Sequence, residues 1–148
     1  RRGLRIVAAE SCTGGLAAKL LTDVPGSSAW MERGFVVYSN LSKQQLLGVP
    51  EETLKQHGAV SEPVALAMLE GALERSVAQI GFAVTGIAGP GGGTPGRPVG
   101  TVCIAWGDQD RSQVETHTFY WDREYNRLLS AWMAMHLVYQ LLLGRQSG

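Results

Sequence analysis

The sequence predicts a three-layer α/β/α sandwich built on a mixed, mostly parallel central sheet. Two observations carry this. Short apolar runs at residues 5–10, 34–38 and 80–84 alternate with segments whose apolar residues recur at helical spacing. Two later runs, residues 99–106 and 114–121, are joined by a short polar connection that includes Gly107-Asp-Gln-Asp110, which predicts an antiparallel hairpin and so a mixed sheet.

In chain order, Arg5-Ile-Val-Ala-Ala-Glu10 reads as an interior strand broken by Ser11-Cys-Thr-Gly-Gly15. Leu16, Ala17, Leu20 and Leu21 then share one helical face, and Pro25-Gly-Ser-Ser28 ends that helix. Gly34-Phe-Val-Val-Tyr38 is a second strand, and residues 42–47 make a helical turn or two. A short helix over residues 51–57 closes at Gly58. Ser61 is a plausible N-cap for a helix striped by Val64, Ala65, Met68, Leu69, Ala72 and Leu73. Residues 80–84 form a strand that runs into a glycine-rich loop. Residues 123–143 close the chain as a helix of about 30 Å. Its apolar surface is too wide for one sheet face, so it is either sandwiched or part of a subunit interface.

The length of 148 residues fits one domain spanning 1–148 with a real core. Thirteen basic residues balance thirteen acidic ones, so no global field recruits nucleic acid or an anionic membrane. Local basic clusters remain, at Arg1, Arg2 and Arg5 and at Arg123 and Arg127. Two cysteines, Cys12 and Cys103, are too few for a secreted disulfide framework, which makes the cytoplasm the expected compartment. Arg1 rather than Met at the start suggests a piece of a longer chain, and no signal peptide is visible. The apolar residues 128–143 include Ser130, His136 and Gln140 and are too few for a membrane span.

Ligands of open α/β sheets bind beyond the carboxyl ends of the strands, and two segments stand there. Seven glycines fall at 86, 89, 91, 92, 93, 96 and 100. Gly91-Gly-Gly-Thr-Pro-Gly96 matches the spacing G-x-G-x-x-G, but it leads into a strand rather than a helix, so the dinucleotide reading fails on context. No Gly-Lys-Ser/Thr follows, which excludes a Walker loop. A glycine-rich wall of a site remains, with a long flexible turn as the plain alternative. The second segment, Ser11-Cys12-Thr13, offers two nucleophile types at a strand-to-helix turn, where free N–H groups can hold a phosphate or an oxyanion. Ser and Thr are equally good helix caps.

Lys43 alone reads as a solvated lysine. Beside Ser11 it becomes a candidate base, provided burial lowers its pKa from the usual ~10.4. Cys12 is the rival nucleophile, with a pKa that a helix N-terminus would lower. His57, His117 and His136 lie in poor contexts for activating it, and no spacing suggests a metal site.

Together these segments resemble a known family. Glu10-Ser-Cys-Thr-Gly-Gly15, Tyr38-Ser-Asn40 with Lys43, Leu47-Gly-Val49, Gly58-Ala-Val-Ser-Glu62, Thr85-Gly-Ile-Ala-Gly-Pro-Gly-Gly92, Arg97-Pro-Val-Gly-Thr-Val102 and Asp122-Arg123 occur in the order seen in the CinA C-terminal domain family. The resemblance covers essentially the whole chain. It implies the three-layer sandwich and, from the family's enzymatic members, hydrolysis of the carboxamide of nicotinamide mononucleotide to nicotinate mononucleotide and ammonia, without cofactor or metal. By the same resemblance Ser11 is the nucleophile, Lys43 the general base and Tyr38 an orienting or proton-network residue. Thr13 and Gly14 are substrate-binding residues, with backbone N–H groups around Thr13 to Gly15 or in the glycine loop holding the oxyanion. Thr85, Gly86 and Gly89 form the substrate wall, and Arg123 or Arg127 is the basic residue near the substrate. A homodimer or higher oligomer is implied too. Trp121 stands where the family usually has a small residue, and would narrow the mouth if turned inward. A non-catalytic pyridine-nucleotide-binding domain of the same fold is the competing reading.

Overall fold

The computed structural model describes residues 3–147. Arg1 and Arg2 of the expected basic cluster lie outside the described residues. Five strands form one sheet in the order β2-β1-β3-β4-β5. These are β1 (Ile6–Glu10), β2 (Met31–Val36), β3 (Ile80–Gly86), β4 (Thr101–Asp108) and β5 (Ser112–Thr118). β2, β1 and β3 run parallel, while β4 is antiparallel to both β3 and β5. The sheet is mixed, with the expected hairpin at its end.

Period-two alternation divides the core into two halves. Ile6, Ala8, Ile80, Phe82, Val84, Val102, Ile104 and Trp106 face α1 (Leu16–Thr22) and α5 (Arg123–Ser147). Val7, Ala9, Ala83, Cys103 and Ala105 face α4 (Glu62–Glu74). α2 (Asn40–Leu47) and α3 (Glu51–His57) pack against α4. Burying each large side chain such as Phe82 or Ile104 contributes about 1.5–3 kcal/mol. The Ser61 hydroxyl accepts from the Val64 N–H, so α4 has the cap its sequence predicts.

Two boundaries differ from the expectation. β2 begins at Met31, three residues early, because Glu32 and Arg33 lie on an edge strand whose pairing with β1 needs no apolar pattern. The hairpin strands are each shifted, β4 starting at Thr101 after the turn at Gly100 and β5 ending at Thr118.

Contact between α2 and α4 positions the site. Lys43 and Leu47, one turn apart, form the buried face of α2. A Cβ at Gly71 of α4 would lie 1.9 Å from the Leu47 carbonyl oxygen, so only glycine admits α2 this close. Gly71→Ala is expected to cost about 2 kcal/mol or more by overpacking. A drop in melting temperature of roughly 4–8 °C would register that loss, and an unchanged melt would contradict the contact.

Candidate active site

The carboxyl ends of β1, β2 and β3 meet at Ser11. Its N–H donates to the Val84 carbonyl at 3.0 Å, and the Val37 N–H donates to the Glu10 carbonyl at 2.8 Å. Ser11 is buried, and its Oγ lies 3.0 Å from Lys43 Nζ. Lys43 is only 1% exposed, and Nζ also meets the carbonyls of Val37 at 3.1 Å and Tyr38 at 3.2 Å. Burial lowers the Lys43 pKa from 10.5, with the Cys12 sulfur acting weakly the other way. The lysine that looks solvated by local composition is thus a desolvated amine against a serine hydroxyl.

Cys12 behaves in the opposite manner to the expectation for a helix-terminal thiol. Burial pushes its pKa up to about 12, outweighing the pull of Arg127 and Lys43, so it stays a thiol at neutral pH. It is expected to resist iodoacetamide in the folded protein at about pH 8 and to react once unfolded, as peptide mass spectrometry would show. Fast alkylation of the native chain would contradict this.

The predicted anion site at the start of α1 is occupied from within. The buried Glu10 carboxylate accepts the Thr13 hydroxyl at 2.6 Å and the N–H groups of Gly15, Ala17 and Ala18 at 3.2, 2.8 and 2.9 Å. It complements the positive helix end that a phosphate would otherwise seek. The Thr13 hydroxyl therefore faces Glu10 rather than a ligand. Gly14, at φ +60°, has its N–H on the Ser11 carbonyl at 3.0 Å, and a Cβ there would lie 2.9 Å from Arg127 Nη2. The space at Gly14 serves the arginine.

The other predicted residues surround this pair in distinct ways. Tyr38 contributes its carbonyl to Lys43, while its exposed hydroxyl accepts from Arg123 Nη2 at 3.2 Å, away from Ser11. Arg123 Nη1 donates to the Gly89 carbonyl at 2.7 Å, bridging Tyr38 and the glycine loop. Arg127 donates to the carbonyls of Cys12 and Thr13. Thr85 is buried, and its hydroxyl donates to the Ala59 carbonyl at 2.8 Å, which ties β3 to the segment before α4. Gly86 packs against the Cys12 sulfur, and Gly89 against Val99. Trp121 is 63% exposed and stacks edge-on against Tyr125, so it does not fill the space beside Ser11.

Glu10 and Asn126 are two residues whose roles the sequence does not announce. Asn126 is buried and brackets Trp121 through that residue's N–H and carbonyl, while its Nδ2 holds the Ala88 carbonyl at 3.0 Å. It anchors the glycine loop to α5. Among the described residues no three His, Cys, Asp or Glu side chains converge as a metal-binding set. No described helix is long and apolar enough to cross a membrane. A separate cleft of about 740 Å³, lined by Pro50, His57, Leu66, Glu70 and Gln109 among others, includes none of the residues above.

The comparisons with known proteins agree with this architecture. The chain is 51% identical to a CinA-like protein of Syntrophobacter fumaroxidans, over 95% of this chain but 33% of that protein. It spans about a third of the length of several such CinA-like relatives. It is 48% identical to the nicotinamide-nucleotide amidohydrolase PncC of Escherichia coli K12, covering 96% of this chain and 87% of the relative. The crystal structure of the competence/damage inducible protein CihA of Agrobacterium tumefaciens superposes with a TM-score of 0.89 at 46% identity, covering 95% of this chain and 86% of that one. Residues 1–142 match the CinA C-terminal domain, and the chain belongs to that family.

Proposed function

We propose that this chain is an amidohydrolase that converts nicotinamide mononucleotide to nicotinate mononucleotide and ammonia, with Ser11 as nucleophile and Lys43 as general base. The observation that carries the chemistry is the set of partners around Lys43 Nζ. A neutral amine has two N–H donors and one lone pair. Two carbonyl oxygens, at 3.1 and 3.2 Å, take the two donors. The lone pair is left for the Ser11 hydroxyl at 3.0 Å. Desolvation favours this neutral form.

Ser11 Oγ forms a bond to the carboxamide carbon as its proton passes to Lys43 Nζ, and the carbonyl π pair moves onto oxygen. Collapse re-forms the carbonyl and breaks the C–N bond, with the Lys43 proton leaving on ammonia. Water, deprotonated by the same lysine, then hydrolyses the ester and restores Ser11.

The choice of substrate is supported by the PncC relative and by Arg123, whose guanidinium sits at the rim with no carboxylate partner among the described residues. That charge suits a phosphate. Self-association fits the exposed stripe of Tyr125, Leu128, Trp132 and Tyr139 on α5. The deciding test is an ammonia-release assay on nicotinamide mononucleotide, with nicotinate mononucleotide as the co-product. Tight binding without turnover would assign the chain to the non-catalytic nucleotide binders instead.

A further inference from the structure

Arg127 contacts the nucleophile turn without touching either reacting group. Its Nε donates to the Cys12 carbonyl at 3.0 Å and its Nη2 to the Thr13 carbonyl at 3.1 Å. No carboxylate pairs with it among the described residues. A guanidinium held this way acts on the orientation of two peptide planes.

The N–H groups of the turn show what that orientation achieves. Ser11 N–H goes to Val84, Gly14 to Ser11 and Leu16 to Thr13, all on backbone carbonyls. Gly15, Ala17 and Ala18 are taken by Glu10. The Cys12 N–H donates to no acceptor among the described residues. The Thr13 N–H likewise meets no acceptor among the described residues, although Thr13 is 0% exposed, and it belongs to the peptide whose carbonyl Arg127 holds. Buried amides without a partner are rare, and an unpaired one next to a nucleophile calls for an explanation.

A trans peptide directs its C=O and the following N–H to opposite sides. By drawing the Cys12 carbonyl toward α5, Arg127 turns the Thr13 N–H away from α5. Serine side-chain oxygens commonly meet the N–H two residues on in tight turns, and Thr13 stands two residues after Ser11. The guanidinium also polarises the Cys12–Thr13 peptide, which strengthens its N–H as a donor.

We propose that Arg127 is a positioning residue that fixes the Thr13 N–H as the oxyanion donor for attack by Ser11. The inference rests on the acyl-transfer reading above. It gives Arg127 a role separate from Arg123 at the rim, and it accounts for the space left at Gly14. As the carboxamide carbon becomes tetrahedral, its oxygen takes up the negative charge and accepts the Thr13 N–H. On collapse the carbonyl re-forms and the hydrogen bond weakens.

The experiment compares Arg127→Met and Arg127→Lys with wild type on nicotinamide mononucleotide and on nicotinamide riboside, which lacks the phosphate. Loss of one oxyanion donor predicts a fall in kcat of about 10²–10³-fold on both substrates, with KM and the acid limb of the pH profile unchanged. Arg127→Lys, which keeps one charged donor, recovers part of the rate and carries the test if the Met variant fails to fold. A raised KM with kcat retained, or loss of the preference for the phosphorylated substrate, would overturn the proposal in favour of phosphate binding. Labelling of Ser11 by a fluorophosphonate uses the same donor without any nucleotide, and should slow by a similar factor. Undiminished labelling of both variants, or no labelling of wild type, overturns the proposal. Labelling of wild type that slows in the variants, with no deamidation by wild type, upholds it and rejects only the substrate assignment.

Discussion

Ser11→Ala is expected to abolish the proposed ammonia release from nicotinamide mononucleotide, with a loss of at least about 10⁴-fold in kcat, or ~5.4 kcal/mol of transition-state stabilisation. The fold survives, because Ser11 holds the sheet through its backbone N–H on Val84 rather than through its hydroxyl. Cys12→Ser should leave turnover within the same order of magnitude, since the thiol is buried and its pKa is raised to about 12. The assay separates the two nucleophiles: a Ser11→Ala variant that keeps its rate, together with an inactive Cys12→Ser variant, would move the chemistry to the thiol.

Lys43→Met is expected to lower kcat by about 10³–10⁴-fold while substrate still binds. Lys43→Arg should not rescue it, because a guanidinium stays protonated and offers no lone pair. In wild type, protonated Lys43 cannot accept the serine proton. The proposed activity is therefore expected to fall as the pH drops through the lowered Lys43 pKa and to reach a plateau above that value. The same shift appears in stability. Between the lowered folded pKa and the unfolded value of about 10.4, the unfolded chain holds the extra proton, so stability rises with pH across that window. Lys43→Met removes this dependence. A pH–rate profile with no acid limb, or an active Lys43→Met variant at neutral pH, would rule out lysine as the base.

The fold was legible where chemistry is local. Apolar runs gave β1 and β3, Ser61 announced α4, and the polar Gly107–Asp110 segment marked the hairpin. Only the bounds of β2 differ from the expectation, because an edge strand can carry Glu32 and Arg33 without losing its pairing. The site was legible in part. Lys43 could be paired with Ser11, but its burial depends on Gly71 and Leu47, which bring α2 against α4. Glu10 caps α1 from outside the usual Ncap position, reaching N–H groups up to eight residues ahead. The contacts of Asn126 and Arg127 are with backbone carbonyls 38 and 115 residues away, and composition carries no trace of those. The helix-start N–H groups that looked open to an anion belong to Glu10 for the same non-local reason.

Acid quenching of the protein during turnover of nicotinamide mononucleotide, followed by peptide mass spectrometry, tests the central claim most directly. Ser11 is predicted to carry the nicotinate mononucleotide acyl group as an ester, and the adduct should be absent from Ser11→Ala and Lys43→Met. A thioester on Cys12, or ammonia released with no acyl adduct at any stage of the time course, would contradict it.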